Sequence, residues 1–198
     1  MIKRVIDIIG SFIGLLVLLP VYLLVAIAIK LDSSGPVLYR QERVGRGGVP
    51  FRLFKLRTMH VNADRMQIIT VGERDTRITS VGFFLRRFKL DELPQLINVL
   101  KGEMSLVGPR PELKKFTDLY SPDQRRVLGV RPGITDPASI HFRNENEMLE
   151  GKPDPIAYYV NEILPVKLSL NMKYLQDRST LKDLRIIFMT ALSIFKRN

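Results

Sequence analysis

Residues 8–29 read IIGSFIGLLVLLPVYLLVAIAI, 22 positions without a charge. As one helix the run reaches about 33 Å, enough to cross the hydrocarbon core of a bilayer. It is apolar all round rather than along one stripe, which does not suit a surface helix of a soluble domain. It does not suit a cleaved leader either, because it is long for such a core and is followed by Lys30-Leu31-Asp32 instead of a small-x-small site. Pro20 lies near its middle, where it removes a backbone donor and crowds the preceding turn. Lys3 and Arg4 precede the run, and Lys30, Arg40, Arg43 and Arg46 follow it. A single span puts its more basic flank in the cytoplasm; here both flanks are basic. The pattern leaves two readings open: a kinked transmembrane anchor, or a helix that enters one leaflet, breaks at Leu19-Pro20 and returns to the same face.

The 198 residues suffice for one domain with a real core and an appendage. With 45% hydrophobic and 26% charged residues, the chain is not a disordered polymer. A net charge of +11 calls for a polyanionic partner: nucleic acid, an anionic membrane surface or a phosphorylated substrate. The absence of cysteine excludes disulfides and thiolate chemistry.

Beyond the turn at Asp32-Ser33-Ser34-Gly35-Pro36, residues 37–40 and 49–57 read as strands on either side of Gly45, Gly47 and Gly48. Period two places Phe51, Leu53, Lys55 and Arg57 on one face, so Lys55 and Arg57 are expected to project together. Residues 61–69 read as a short helix and 72–79 as a polar loop, with Ser80 capping a helix through Arg87. Leu93, Leu96, Ile97 and Leu100 form one helical face. Asp91 is then the expected N-cap, with Pro94 in the first turn and Gly102 as C-terminal cap. A strand at 104–107 leads into Gly108-Pro109-Arg110-Pro111-Glu112, where two prolines restrict the backbone around one arginine. Two short helices are expected over 112–129, and mostly helix from Asp154. Thr180 with Asp183 resembles a capping box. The stripe Leu181, Leu184, Phe188, Ala191, Leu192 and Phe195 suits core packing or a membrane interface.

No phosphate-binding Gly loop, dinucleotide fingerprint, His-Glu-x-x-His, nucleophile elbow or Asp-x-Asp occurs, and His60 and His141 are the only histidines. No nucleic-acid module is visible. What remains is the adjacent pair Asp91 and Glu92 beside Arg86, Arg87 and Lys89. On a helix, neighbours diverge by about 100°, so the two do not flank one glycosidic bond. They can do two jobs at one phosphate: one attacks phosphorus, the other holds a metal or handles a proton. Such a site needs cations, and Lys55, Arg57, Arg86, Arg110, Arg131 and Arg143 are available. Pattern alone favours the plainer reading, with Asp91 as a cap and Glu92 as a partner of the helix dipole.

Four stretches, KRVIDIIG (3–10), FRLFKLRTM (51–59), LDELPQLINVLKGEMSLVGPRPE (90–112) and VRPGIT (130–135), resemble the bacterial sugar transferases, small monotopic phosphoglycosyl transferases. They occur in the family's order and reach to about residue 145. The resemblance implies an α/β, mostly helical globular unit with an N-terminal Pro-broken re-entrant membrane helix. Residues 1–30 would be that helix, and 31–198 a cytosolic catalytic domain with interfacial helices at the cytoplasmic face of the bacterial inner membrane. It implies transfer of a sugar-1-phosphate from a UDP-sugar to undecaprenyl phosphate with release of UMP, the first membrane step of a surface glycan. Asp91 would be the nucleophile of a covalent intermediate, and Glu92 its partner, the two sharing Mg²⁺. Lys55, Arg86, Arg110 and Arg143 would bind phosphate, and Asp183 would be a second acidic site residue.

The chain departs from the family at Leu19-Pro20, where Ser-Pro is common, and at Asp136-Pro137-Ala138-Ser139, where Gly-Leu-Ala is common. It lacks the extra amino-terminal spans of larger relatives and reads as a minimal catalytic unit. Anionic lipids are expected partners, nucleic acid is not, and a homodimer is compatible with the sequence. The competing reading is an inactive membrane-anchored scaffold of the same fold.

Overall fold

The computed structural model describes residues 2–63, 69–72 and 75–195. Helix α1 (Ile2–Asp32) contains Pro20 and continues as helix on both sides of it. The expected break at Leu19-Pro20 is therefore not an unwound segment. Proline removes a single donor, and in apolar surroundings the remaining backbone groups are best satisfied within the helix. Among the described residues α1 is the helix long and apolar enough to cross a membrane. Most of its large side chains face outward, as at Val17 (67% exposed) and Leu24 (69%).

Both ends of α1 are fastened to one globular unit. Near its start, Arg4 donates to the carbonyls of Val99 (2.7 Å) and Leu100 (3.2 Å). Asp7, buried, accepts from Ser105 Oγ (2.8 Å) and the Leu106 amide (3.0 Å). Near its end, Ile29 packs with Leu56 and Leu85, and Asp32 accepts from the Val81 amide at 3.0 Å. The Arg57 guanidinium covers the carbonyls that close the helix, donating to Ile29 (3.2 Å) and Ser33 (2.7 Å). A cation there satisfies orphan acceptors and complements the dipole. Arg57 thus turns away from Lys55, and the expected pairing of the two does not form, because the helix end offers Arg57 a set of acceptors.

Strands β1 (Leu38–Val44) and β2 (Pro50–Leu56) form an antiparallel hairpin, with Leu38 opposite Leu56 and Val44 opposite Pro50. Helix α2 (Ser80–Arg87) is capped by Thr79, whose side chain accepts from the Gly82 amide, one residue before the expected cap. Helix α3 (Gln95–Lys101) ends at Gly102 in the left-handed conformation, as the sequence predicts. Strand β3 (Ser105–Val107) pairs in parallel with β4 (Gly133–Thr135). Between these strands lie α4 (Lys114–Thr117) and a 3₁₀ segment, Gln124–Gly129. Short helices α5 (Pro137–His141), α6 (Glu145–Leu149) and α7 (Pro155–Tyr158) follow. A π-helical turn, Tyr159–Ile163, then leads into α8 (Leu164–Gln176), and α9 (Thr180–Phe195) completes the chain. The fold is mostly helical with two small sheets, as expected. The helix expected at 61–69 falls largely outside the described residues, as does part of the 72–79 loop.

The largest core gathers Phe116, Tyr120, Phe142, Tyr159, Ile163 and Leu168 beneath α8. At the other end Leu53, Val99 and Met104 join β2 to α3. The Gly-Pro-Arg and Arg-Pro-Gly turns meet backbone to backbone: the Gly108 amide donates to Thr135 O (3.0 Å), and the Gly133 amide to Pro109 O (3.0 Å). A Cβ on Gly133 would lie 2.1 Å from Gly108 N, which is why glycine is needed there.

Candidate active site

Lys89 stands between α2 and the acidic pair in a left-handed conformation (φ 56°) that non-glycine residues seldom adopt. It reverses the chain into a 3₁₀ turn, Leu90–Glu92, ahead of α3. This corrects the expected cap. Asp91 lies inside that turn instead of before the helix, and no side-chain capping bond forms at either end of the segment. The proline after Leu93 delays the regular helix to Gln95, which strips Asp91 of its local role.

Asp91 and Glu92 then differ sharply. Glu92 Oε2 accepts from Arg110 Nη1 at 2.9 Å, Oε1 accepts from Lys55 Nζ at 3.2 Å, and a second Arg110 nitrogen closes on Oε1. Asp91 is 7% exposed, and among the described residues none donates a hydrogen bond to its carboxylate. Burial pushes the Asp91 carboxyl above the usual carboxylate range. The Glu92 charge adds to this, while Lys55 and Arg86 oppose it. Burial acts on Glu92 in the same direction, but Arg110 and Lys55 together outweigh it and hold Glu92 well below that range. Desolvation lowers Lys55, with Glu92 pulling the other way. Near the end of α2, five residues before Asp91, Arg86 is anchored on Thr70 Oγ1 (2.9 Å), and burial lowers its pKa against the field of Asp91.

Lys55, Arg86 and Arg110 therefore gather around Asp91 and Glu92. Arg143 lines a cleft of about 380 Å³ with His141, Met148 and Met189. Asp183 is not at the site. Its carboxylate is taken by Lys3 Nζ (2.6 Å) and the Tyr174 hydroxyl, tying α9 to the start of α1. Ser179 rather than Thr180 caps α9, accepting from the Lys182 amide at 3.2 Å. Arg131 is also structural, donating to the Gly102 carbonyl at the end of α3 (2.8 Å).

Among the described residues no three ligating groups cluster as a ready metal cage. A magnesium ion needs no such cage: it is commonly held by one or two carboxylates and completed by substrate phosphates and water. Asp91, with its carboxylate free of hydrogen bonds among the described residues, and Glu92 beside it fit that mode.

An acidic pair of unequal ionisation, walled by cations on rigid turns and placed beside an apolar helix, fits chemistry on a phosphate at a membrane. The bacterial sugar transferase model matches residues 1–197. The chain belongs to the bacterial sugar transferase family. It is 39% identical over 195 residues to a UDP-glucose:undecaprenyl-phosphate glucose-1-phosphate transferase of Caulobacter vibrioides, covering 97% of this chain and 69% of the relative. Identity is 44% over 153 residues with a Bacillus subtilis protein provisionally named as an undecaprenyl-phosphate N-acetylgalactosaminyl 1-phosphate transferase, covering 77% of this chain and 82% of that one. With the UDP-glucose:undecaprenyl-phosphate glucose-1-phosphate transferase of Escherichia coli it is 36% over 202 residues, covering 98% of this chain but 40% of the relative.

Within this family member the site has a second layer that sequence reasoning missed. Arg43 donates to the Pro111 carbonyl (3.3 Å) and pairs with Glu112. Glu112 also accepts from Tyr159 (2.6 Å) and Lys167 (3.3 Å). Asp136, fully buried, accepts from the Arg110 amide (3.0 Å) and from Asn171 (2.7 Å). The available signal was Lys167 and Asn171, two polar residues four apart in the otherwise largely apolar run LPVKLSLNMKYL.

Proposed function

We propose that this chain is a phosphoglycosyl transferase that moves a sugar-1-phosphate from a UDP-sugar to undecaprenyl phosphate. The single observation that carries the reading is the division between Asp91, buried without a hydrogen-bond partner among the described residues, and Glu92, locked by Lys55 and Arg110. The Asp91 carboxylate attacks the phosphorus that bears the sugar. A new oxygen–phosphorus bond forms, the diphosphate bridge breaks, and its electron pair leaves with UMP. An oxygen of the lipid phosphate then attacks the same phosphorus, and Asp91 departs as a carboxylate. Lys55, Arg86 and Arg110 spread the diphosphate charge, which otherwise repels an anionic nucleophile. Glu92 holds two of these cations in place. Asp91 and Glu92 would hold Mg²⁺, which when bound would supply charge neutralisation at the substrate phosphates. The named relatives differ in the sugar and share the lipid carrier, in line with a site built around phosphates.

Release of UMP from a panel of UDP-sugars, dependent on undecaprenyl phosphate and Mg²⁺, is the expected result; no release with any donor on correctly inserted protein would leave the scaffold reading.

In the same proposal α1 dips into the cytoplasmic leaflet of the bacterial inner membrane and returns, leaving both of its ends on one side. The support is its fastening at both ends to one globular unit, through Asp7 and Arg4 at one and Asp32 and Arg57 at the other. A full crossing would pull one set of these contacts through the bilayer. Helix α9 adds Leu181 and Phe188, 78% and 64% exposed, to the apolar surface beside α1, and the net charge of +11 suits an anionic leaflet. Single cysteines placed at Ile2, the exposed first residue of α1, and just after the helix should both label from the cytoplasmic side of oriented vesicles. Labelling from opposite sides would make α1 a crossing anchor.

A further inference from the structure

Arg110 sits on a loop, yet its neighbours on both sides are held from one helix. On the amino side its amide donates to Asp136 Oδ2, and the same oxygen accepts from Asn171 Nδ2 at 2.7 Å. Asp136 offers only acceptors as a carboxylate, so it is the amide nitrogen of Asn171 that faces it. On the carboxyl side the chain continues to Glu112, whose carboxylate accepts from Lys167 Nζ and the Tyr159 hydroxyl. Lys167 also donates to Tyr159 Oη (3.1 Å) and Glu145 (3.0 Å). All three anchors are buried: Tyr159, Lys167 and Asn171 are 3%, 7% and 5% exposed.

The helix is built to present them together. Lys167 and Asn171 are one turn apart. Tyr159 lies eight residues before Lys167, which in a regular α-helix would rotate it by about 80° off that face. The π-helical turn Tyr159–Ile163 inserts one extra residue, so eight residues behave as seven and Tyr159 returns to the face.

We propose that α8 with its π turn is a positioning device for Arg110, in which Asn171, acting through Asp136, and Lys167 with Tyr159, acting through Glu112, fix the guanidinium where it meets the donor diphosphate. None of these residues touches the acidic pair; they act through the loop. The inference rests on the reading of Arg110 as a phosphate ligand.

The decisive experiment is a double-mutant cycle on the full chain in its membrane mimetic. Asn171→Leu keeps the volume and removes the donor. In the wild-type background it should lower kcat by roughly 10–100-fold, the scale of a misplaced binding group. In an Arg110→Lys background, already slow and with the guanidinium fork gone, it should lower kcat by less than about threefold, because residues acting as one unit are not additive. Lys167→Met should behave likewise. If breaking its buried pair unfolds the chain, Asn171→Leu decides alone. Equal fold-losses in the two backgrounds, or a lowered melting temperature with kcat per folded molecule unchanged, would reduce α8 to a packing element and overturn the proposal. Wild-type turnover is the internal control: its absence would overturn the reading of the site and this inference with it, whereas turnover with additive losses overturns this inference only.

Discussion

Replacing Asp91 with asparagine is expected to abolish turnover, by about four orders of magnitude or more, while leaving the protein at least as stable as before. The two halves come from one cause. Asp91 is buried, and no described residue donates a hydrogen bond to it, so ionising it in the folded chain is unfavourable; its carboxyl is raised above the ordinary carboxylate range. A raised carboxylate pKa means that the folded state prefers the protonated form, so at neutral pH the ionised group opposes folding. The amide removes that cost and keeps the shape. It also removes the negative charge that makes the side-chain oxygen a nucleophile.

The same substitution separates the two readings that the sequence left open. Asparagine caps a helix as well as aspartate does, so a capping Asp91 would tolerate the exchange in both stability and activity. A nucleophile would lose activity alone. The wild type incubated with a UDP-sugar and no lipid acceptor should gain the mass of one phosphosugar, and Asp91→Asn should not. Turnover by Asp91→Asn within tenfold of wild type would remove Asp91 from the nucleophile's role.

Much of the scaffold was legible in the sequence because local rules were strong. Gly102 in the left-handed conformation, the hairpin turn rich in glycine and the long apolar helix each follow from residue type and spacing. The cap at Asp91 misled because Lys89 turns left-handed and places Asp91 inside a 3₁₀ turn, with the regular helix starting only at Gln95 after Pro94, a local break that a capping rule does not carry. Arg57 misled because strand alternation gives the face of a residue and says nothing of a helix end waiting across the turn. Asp183 misled for a related reason: an acid in the first turn of a helix looks available, but Lys3 reaches it from 180 residues away in the chain. The separation of Asp91 from Glu92 was legible as geometry, since neighbours on a turn point apart. What gives each its ionisation was not, because Arg110 and Lys55 come from distant segments.

Glu92→Gln is the second large effect, and its signature lies in pH. Glu92 is held low by Arg110 and Lys55 and serves as their counter-charge. A neutral amide cannot hold two buried cations in the same way, so kcat should fall by roughly 100-fold. The depressed carboxyl also contributes stability that is present above its unfolded pKa and lost as pH falls through the folded value. The variant should therefore melt lower than wild type at neutral pH and match it more closely in acid. Its residual activity should nevertheless survive to lower pH. The nucleophile works as a carboxylate, so kcat/KM falls as pH drops through the Asp91 pKa of the free enzyme. Glu92 is one of the groups that raise that pKa, while Lys55 lowers it. Removing the Glu92 charge leaves Asp91 facing cations with no competing anion, its pKa drops, and the acidic limb shifts downward. A limb that stays in place or moves upward would show that Asp91 does not set it, and that the two carboxylates do not share one electrostatic site.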